Sequence, residues 1–261
     1  MLFKQTKFIA ITSFLMMLSG CVTTSDSSLS RNADPDVAIT RYVDLGFEYI
    51  KREDFARARK HLDRALELDD NNPEANSALG LIYSRQGEYE LAEKAFKKAL
   101  SSDSSYTRGR TYYAALLFSR QRFEDALEQF MRAAEDTTYP ARSQVFTNIA
   151  LCHVKLGNTS QAESAYERAL QLDRFNASAL AGVTEVLLST NDFRRAQYYY
   201  NRLVTQIANQ ALNHSAQTLW QGVRIAKHFN ATDQAKSLAK LLAEQYPDSQ
   251  EYRSDLSEYG G

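Results

Sequence analysis

Six alanines set the frame for this chain. Ala58, Ala92, Ala126, Ala162, Ala196 and Ala235 follow one another at intervals of 34, 34, 36, 34 and 39 residues. Each sits in a similar phrase: DFARARKHLDRAL, EYELAEKAFKKAL, RFEDALEQFMRAA, NTSQAESAYERAL, DFRRAQYYYNRLV and ATDQAKSLAKLLA. Four residues on come Leu62, Phe96, Phe130, Tyr166, Tyr200 and Ala239. Three further come Ala65, Ala99, Ala133, Ala169, Leu203 and Leu242. Apolar residues at i, i+4 and i+7 lie on one face of a helix, so the phrase predicts a helix repeated six times.

A second helix precedes each phrase. Leu45-Gly46…Tyr49, Leu79-Gly80…Tyr83, Tyr113-Ala114…Leu117 and Ile149-Ala150…His153 share one frame; Val183-Thr184…Leu187 continues it, and Gly222-Val223…Ala226 is its weakest copy. The small residue at the second position lets two helices approach closely. Between the halves stand Gly87, Gly157, Asn191 and Asn230, which tolerate the left-handed backbone that closes a helix. Glu53 and Gln121 occupy the same place without that tolerance. Only 10 Gly and 4 Pro in 261 residues leave too few turns for a strand-rich fold.

A helix–turn–helix of 34 residues resembles the tetratricopeptide repeat. The copies are read at 39–72, 73–106, 107–140, 143–176, 177–210 and 216–249, with insertions at Ala141–Arg142 and Ala211–Ser215 in loops. One pair cannot bury its own apolar face, so neighbours must stack. The resemblance implies an all-α superhelical solenoid whose first helices line an inner groove that holds peptide segments of other proteins. It places groove positions at offsets 2, 5, 9, 12 and 13 of each repeat. Among them Val43, Phe47, Ile50, Leu81 and Phe118 are more apolar than a solvated groove needs, and form the candidate partner-binding site. Repeats 4 and 5 are more mixed there, with Gln144, Thr147, Leu151, Val154 and Lys155, then Ser178, Ala181, Glu185, Leu188 and Ser189. An apolar client is therefore expected in the first half.

The first twenty residues read as an address. Lys4 and Lys7 precede an apolar run of 11 residues, Phe8 to Leu18. That is short of the roughly 20 needed to span a bilayer but suits a signal peptide. The run ends in Leu18-Ser19-Gly20-Cys21, which resembles a bacterial lipobox with Cys21 as the lipid-attachment residue. Cleavage before Cys21 would remove both lysines and no acid, taking the net charge from −1 to −3. Val22, where an Asp would favour the inner membrane, implies the outer membrane. Residues 21–38, rich in Ser and Asp, are expected to be a flexible tether, and 250–261 a C-terminal tail.

Nothing in the sequence builds chemistry. His61, His153, His214 and His228 fall in no metal-ligand spacing, and no phosphate-binding or nucleophile motif is present. Cys152, beside the packing positions Ile149 and Ala150, reads as a buried inert thiol, and His153 as a packing residue. In Tyr198-Tyr199-Tyr200, Tyr200 is a core position and the others are packing or surface. The near-neutral charge lacks the basic excess of a nucleic-acid binder. The expectation is a protein that is not an enzyme, with no metal, no cofactor, no small-molecule substrate and no nucleic acid.

Several stretches resemble a narrower family, the type IV pilus biogenesis lipoproteins with six such repeats (PilF/PilW-like pilotins). They are AAEDTTYPARSQVFTNIAL at 133–151, RRAQYYYNRLV at 194–204, GVRIAKHF at 222–229 and EQYPDSQEY at 244–252. The lipobox and repeat count agree, and the likeness covers essentially the whole chain. It implies a lipoprotein facing the periplasm from the outer membrane. Its partner would be the secretin through which the pilus passes, whose localisation and multimer assembly it promotes. A scaffold of another envelope machine, for outer-membrane-protein assembly or peptidoglycan, would share the architecture.

Overall fold

The computed structural model describes residues 34–210 and 213–253. The signal segment, Cys21 and the expected tether up to residue 33 lie outside the described residues, as do 254–261 of the expected tail. The described residues form twelve helices. These are α1 (Pro35–Lys51), α2 (Phe55–Leu68), α3 (Pro73–Arg85), α4 (Tyr89–Ser102), α5 (Thr107–Ser119), α6 (Phe123–Ala134), α7 (Arg142–Lys155), α8 (Thr159–Leu172), α9 (Ala177–Ser189), α10 (Phe193–Asn209), α11 (Ala216–His228) and α12 (Thr232–Gln245). Successive helices pair as hairpins, and each hairpin stacks on the next in an all-α superhelical solenoid of tetratricopeptide type.

Local chemistry starts and stops these helices. Side-chain oxygens of Asp34, Asp54, Asn72, Asn176, Asp192 and Ser215 accept backbone N–H groups of the first turns of α1, α2, α3, α9, α10 and α11. Within every hairpin one residue turns left-handed: Glu53, Gly87, Gln121, Gly157, Asn191 and Asn230, with φ between 55° and 81°. The turn therefore keeps its shape in repeats 1 and 3 even where the side chain pays for it sterically.

Two boundaries differ from the sequence reading. Helix α1 begins at Pro35, so residues 35–38 of the expected tether are helical; Asp34 caps them and proline suits a first helical position. Arg142, expected in a loop, opens α7, and its Nε donates to Ala134 O at 2.8 Å.

The six framing alanines are all buried, as are the apolar residues four positions on from Leu62 to Tyr200. Close approach is enforced where the first helix carries glycine: a Cβ on Gly80 would lie 2.7 Å from the buried Phe96 ring, and one on Gly46 would meet Leu62. The main core runs from α4 to α11, with smaller clusters under repeat 1 and between α11 and α12. Polar links stitch successive helix hairpins together. Tyr113 Oη and Arg122 Nη1 both donate to Glu93 at 2.9 Å, Asn176 Nδ2 donates to Ser143 Oγ at 2.9 Å, and Arg224 pairs with Glu185 at 2.6 Å.

Candidate partner-binding groove

The first helices α1, α3 and α5 pack side by side, as do α7, α9 and α11, and together they make the groove wall of the solenoid. At its N-terminal end the five candidates are less open than their sequence offsets suggest. Val43 is a correction: at 6% exposure it belongs to the core under repeat 1, packed with Leu62 and Ile82, and offers no surface to a partner. Phe47 and Ile50 are half-buried against that cluster. Phe47 lies 6.5 Å from the Tyr112 ring, and the Arg108 guanidinium stands 5.9 Å from its centroid. Both neighbours come from repeat 3, so the N-terminal concavity is partly closed by its own wall. Leu81 and Phe118 are half-buried against the main core, with Phe118 edge-on to Phe123 at 5.2 Å.

The open apolar stretch lies further along. Leu151 and Val154 of α7 are 38% and 43% exposed. A hollow of about 630 Å³ runs beside them, between α7, Ala177, Ser178 and Ala181 of α9, and Gln217 and Thr218 of α11. A smaller hollow, about 90 Å³, joins Ala115, Phe118 and Leu151. Glu185 rims the larger one and is held by Arg224 and by Gln221 Nε2 at 3.1 Å. The groove is thus a wall of apolar spots between fixed polar groups, the composition of a peptide-binding surface. The apolar groove positions of repeats 1–3 are less open than Leu151 and Val154. Leu151 and Val154 are the groove residues that the mixed composition of repeat 4 hid; their offsets were the available signal.

Residues with latent chemistry are packed. Cys152 is buried, and burial pushes its thiol up to about 12, far from a nucleophile's range. His153 is half-buried, with its pKa lowered by burial. Tyr200 is core, Tyr199 donates to Glu167 at 2.9 Å, and Tyr198 is exposed. Among the described residues no group of His, Cys, Asp and Glu is arranged to hold a metal ion, and no helix is long and apolar enough to cross a membrane.

Models of the tetratricopeptide repeat match residues 43–107, 107–174 and 147–211. Type IV pilus assembly protein PilF of Pseudomonas aeruginosa is 33% identical over 242 residues, spanning 92% of this chain and 94% of its own. The chain belongs to the PilF family of type IV pilus assembly proteins. The solved structure of P. aeruginosa PilF matches with a TM-score of 0.80 at 32% identity, over 86% of this chain and 99% of that one. PilW, a widely conserved type IV pilus biogenesis factor, matches with a TM-score of 0.72 over 84% of this chain and 98% of its own. At 23% identity, that likeness concerns the fold. Repeats of this type in a type IV pilus assembly family point to protein partners.

Proposed function

We propose that this chain is an outer-membrane lipoprotein that acts as a pilotin. It binds the secretin of the type IV pilus in its groove and promotes the secretin's delivery to the outer membrane and assembly into a multimer. The observation that carries this reading is the kinship with a type IV pilus assembly protein along 92% of the chain. The LSGC segment ending at Cys21 adds the anchor. Acyl chains on Cys21 would contribute about 0.8 kcal/mol per buried CH₂, and more than one chain holds a protein stably on a membrane. A client bound to such a protein is carried to one surface and concentrated there, which favours ring assembly without a chemical step. The chain's role on this reading is binding, not catalysis.

The groove offers the client two apolar stations: Phe47, Ile50 and Leu81 towards the N-terminus, and Phe118, Leu151 and Val154 beyond. Truncating a buried apolar anchor of an interface often costs more than about 2 kcal/mol. The test is co-purification of the secretin with the membrane-extracted protein. Phe47→Ser with Ile50→Ser, and separately Leu151→Ser with Val154→Ser, are expected to lower the secretin recovered while helical content stays at the wild-type level. The second pair is exposed, so its folding is secure. Full secretin recovery with both folded variants would contradict the groove reading.

A further inference from the structure

Two hollows open away from the groove, flanking α8 and the loop that follows it. The larger, about 720 Å³, lies between α6, α7 and α8 and is walled by Met131, Phe146, Arg142 and Arg168 among others. The other, about 520 Å³, lies between the α8–α9 loop and α10, where Arg174, Phe175, Tyr198 and Arg202 meet. Helix α7 shows that the larger hollow is on the far side. Its residues Arg142, Phe146, Ile149 and His153 face the hollow, whereas Thr147, Leu151 and Val154 face the groove. At about 100° per residue these stripes point some 140° apart. The second hollow is built mainly from Tyr198, Asn201, Arg202, Thr205 and Gln206 of α10, whereas Leu203 and Ile207 on the opposite side of that helix line the groove hollow.

The composition of these walls is selective. Neither carries a Lys or an Asp, and Glu135 is the one carboxylate among the described residues that line them. Guanidinium groups sit by aromatic rings: Arg142 and Arg168 at 5.5 and 6.0 Å from the Phe146 centroid, Arg174 at 4.9 Å from Phe175, Arg202 at 5.6 Å from Tyr198. Their hydrogen bonds go to uncharged acceptors. Arg142 donates to Ala134 O, Arg168 Nη1 to Gln171 Oε1 at 2.8 Å, and Arg202 Nη2 to Arg174 O at 3.0 Å. Their neighbours Arg132 and Arg195 are matched by carboxylates, Glu128 in one case and Glu163 and Glu167 in the other. Phe175 and Tyr198, 59% and 60% exposed, are the most open large apolar side chains among the described residues.

Arginine, aromatic and Met side chains are enriched in the cores of protein interfaces, where Lys and Asp are depleted. A bilayer surface attracts Lys and Arg alike and receives apolar side chains that protrude, not hollows. Hollows fit a protruding side chain, and guanidiniums without a carboxylate fit an acid on two oxygens. We propose that the convex face of repeats 3–5 is a second docking surface, for a protein segment whose carboxylates flank an apolar or aromatic side chain. It goes beyond the groove reading and does not depend on which partner fills the groove.

The test places the photo-crosslinker p-benzoylphenylalanine at Tyr198 of the full chain in its own cells and maps the adduct by mass spectrometry. The expected adduct is a protein segment with carboxylates within one helical turn of an apolar side chain. Arg174→Glu with Arg202→Glu should cut its yield by about tenfold or more, as charge reversal at a steered contact does. Circular dichroism checks the fold of that variant, and Phe175→Ala, which keeps every charge, gives a second, milder loss. An adduct to lipid, to a second copy of this chain or to a segment lacking carboxylates would overturn the proposal. So would the absence of an adduct, or a yield indifferent to the charge reversal in the folded protein.

Discussion

At the scale of single residues, the fold rests on small side chains placed where helices touch and on one left-handed turn position per repeat. Ala126 has no exposed surface, so Ala126→Leu should overpack the repeat 3 hairpin and cost about 1–3 kcal/mol. Urea unfolding checks this, and a midpoint equal to wild type would mean that the repeat register is wrong. Gln121 is the converse case. Its φ of 60° is one that glycine adopts freely and other residues adopt at a cost of about 1–2 kcal/mol. After allowing for the greater chain entropy of glycine, Gln121→Gly should raise stability by about 0.5–1 kcal/mol. A lower thermal midpoint for that variant would contradict the account of the turn. Both features were legible in the sequence through the repeat register: alanine recurs at the close contact, and Gly87, Gly157, Asn191 and Asn230 mark the turn that Gln121 also makes.

At the scale of elements, what holds one hairpin to the next is partly electrostatic. Burial alone would raise the pKa of Glu93 on α4, but it is outweighed by hydrogen bonds from Lys97, from Tyr113 of α5 and from Arg122 at the start of α6. Together they hold its carboxyl down at about 2. The folded value lies below the ordinary 4.5, so the stabilisation is complete above pH 4.5 and is lost as pH falls towards 2. At about 1.4 kcal/mol per unit, it amounts to at most about 3 kcal/mol at neutral pH. The difference in unfolding free energy between wild type and Glu93→Gln should therefore shrink steadily from pH 5 to about pH 2. A difference that stays constant over that range would rule out the ionised carboxylate as the source. Links of this kind also explain what the sequence did not reveal. Repeat offsets describe where a residue points within its own hairpin, but the cover over Phe47 comes from Arg108 and Tyr112, two repeats away. Burial of Val43 likewise depends on Ile82 of repeat 2. Leu151 and Val154 stay open because the residues opposite them on α9 are the short Ala177, Ser178 and Ala181.

At the scale of the whole molecule, the solenoid separates two surfaces. The groove presents apolar spots among polar groups, and the convex side of repeats 3–5 presents arginines stacked by aromatic rings. On the proposed function, the lipid on Cys21 fixes both surfaces near one membrane. Replacing Cys21 by Ser should abolish incorporation of labelled palmitate; unchanged labelling would end the lipoprotein reading. On the same proposal the chain drives assembly of the pilus secretin. Its most direct test is the amount of heat-stable secretin multimer in outer membranes of cells that lack this chain. The multimer is expected to fall to a small fraction of its normal amount in those cells, to return with the wild-type chain, and not to return with Cys21→Ser. A normal multimer in the outer membrane of cells without the chain would contradict it.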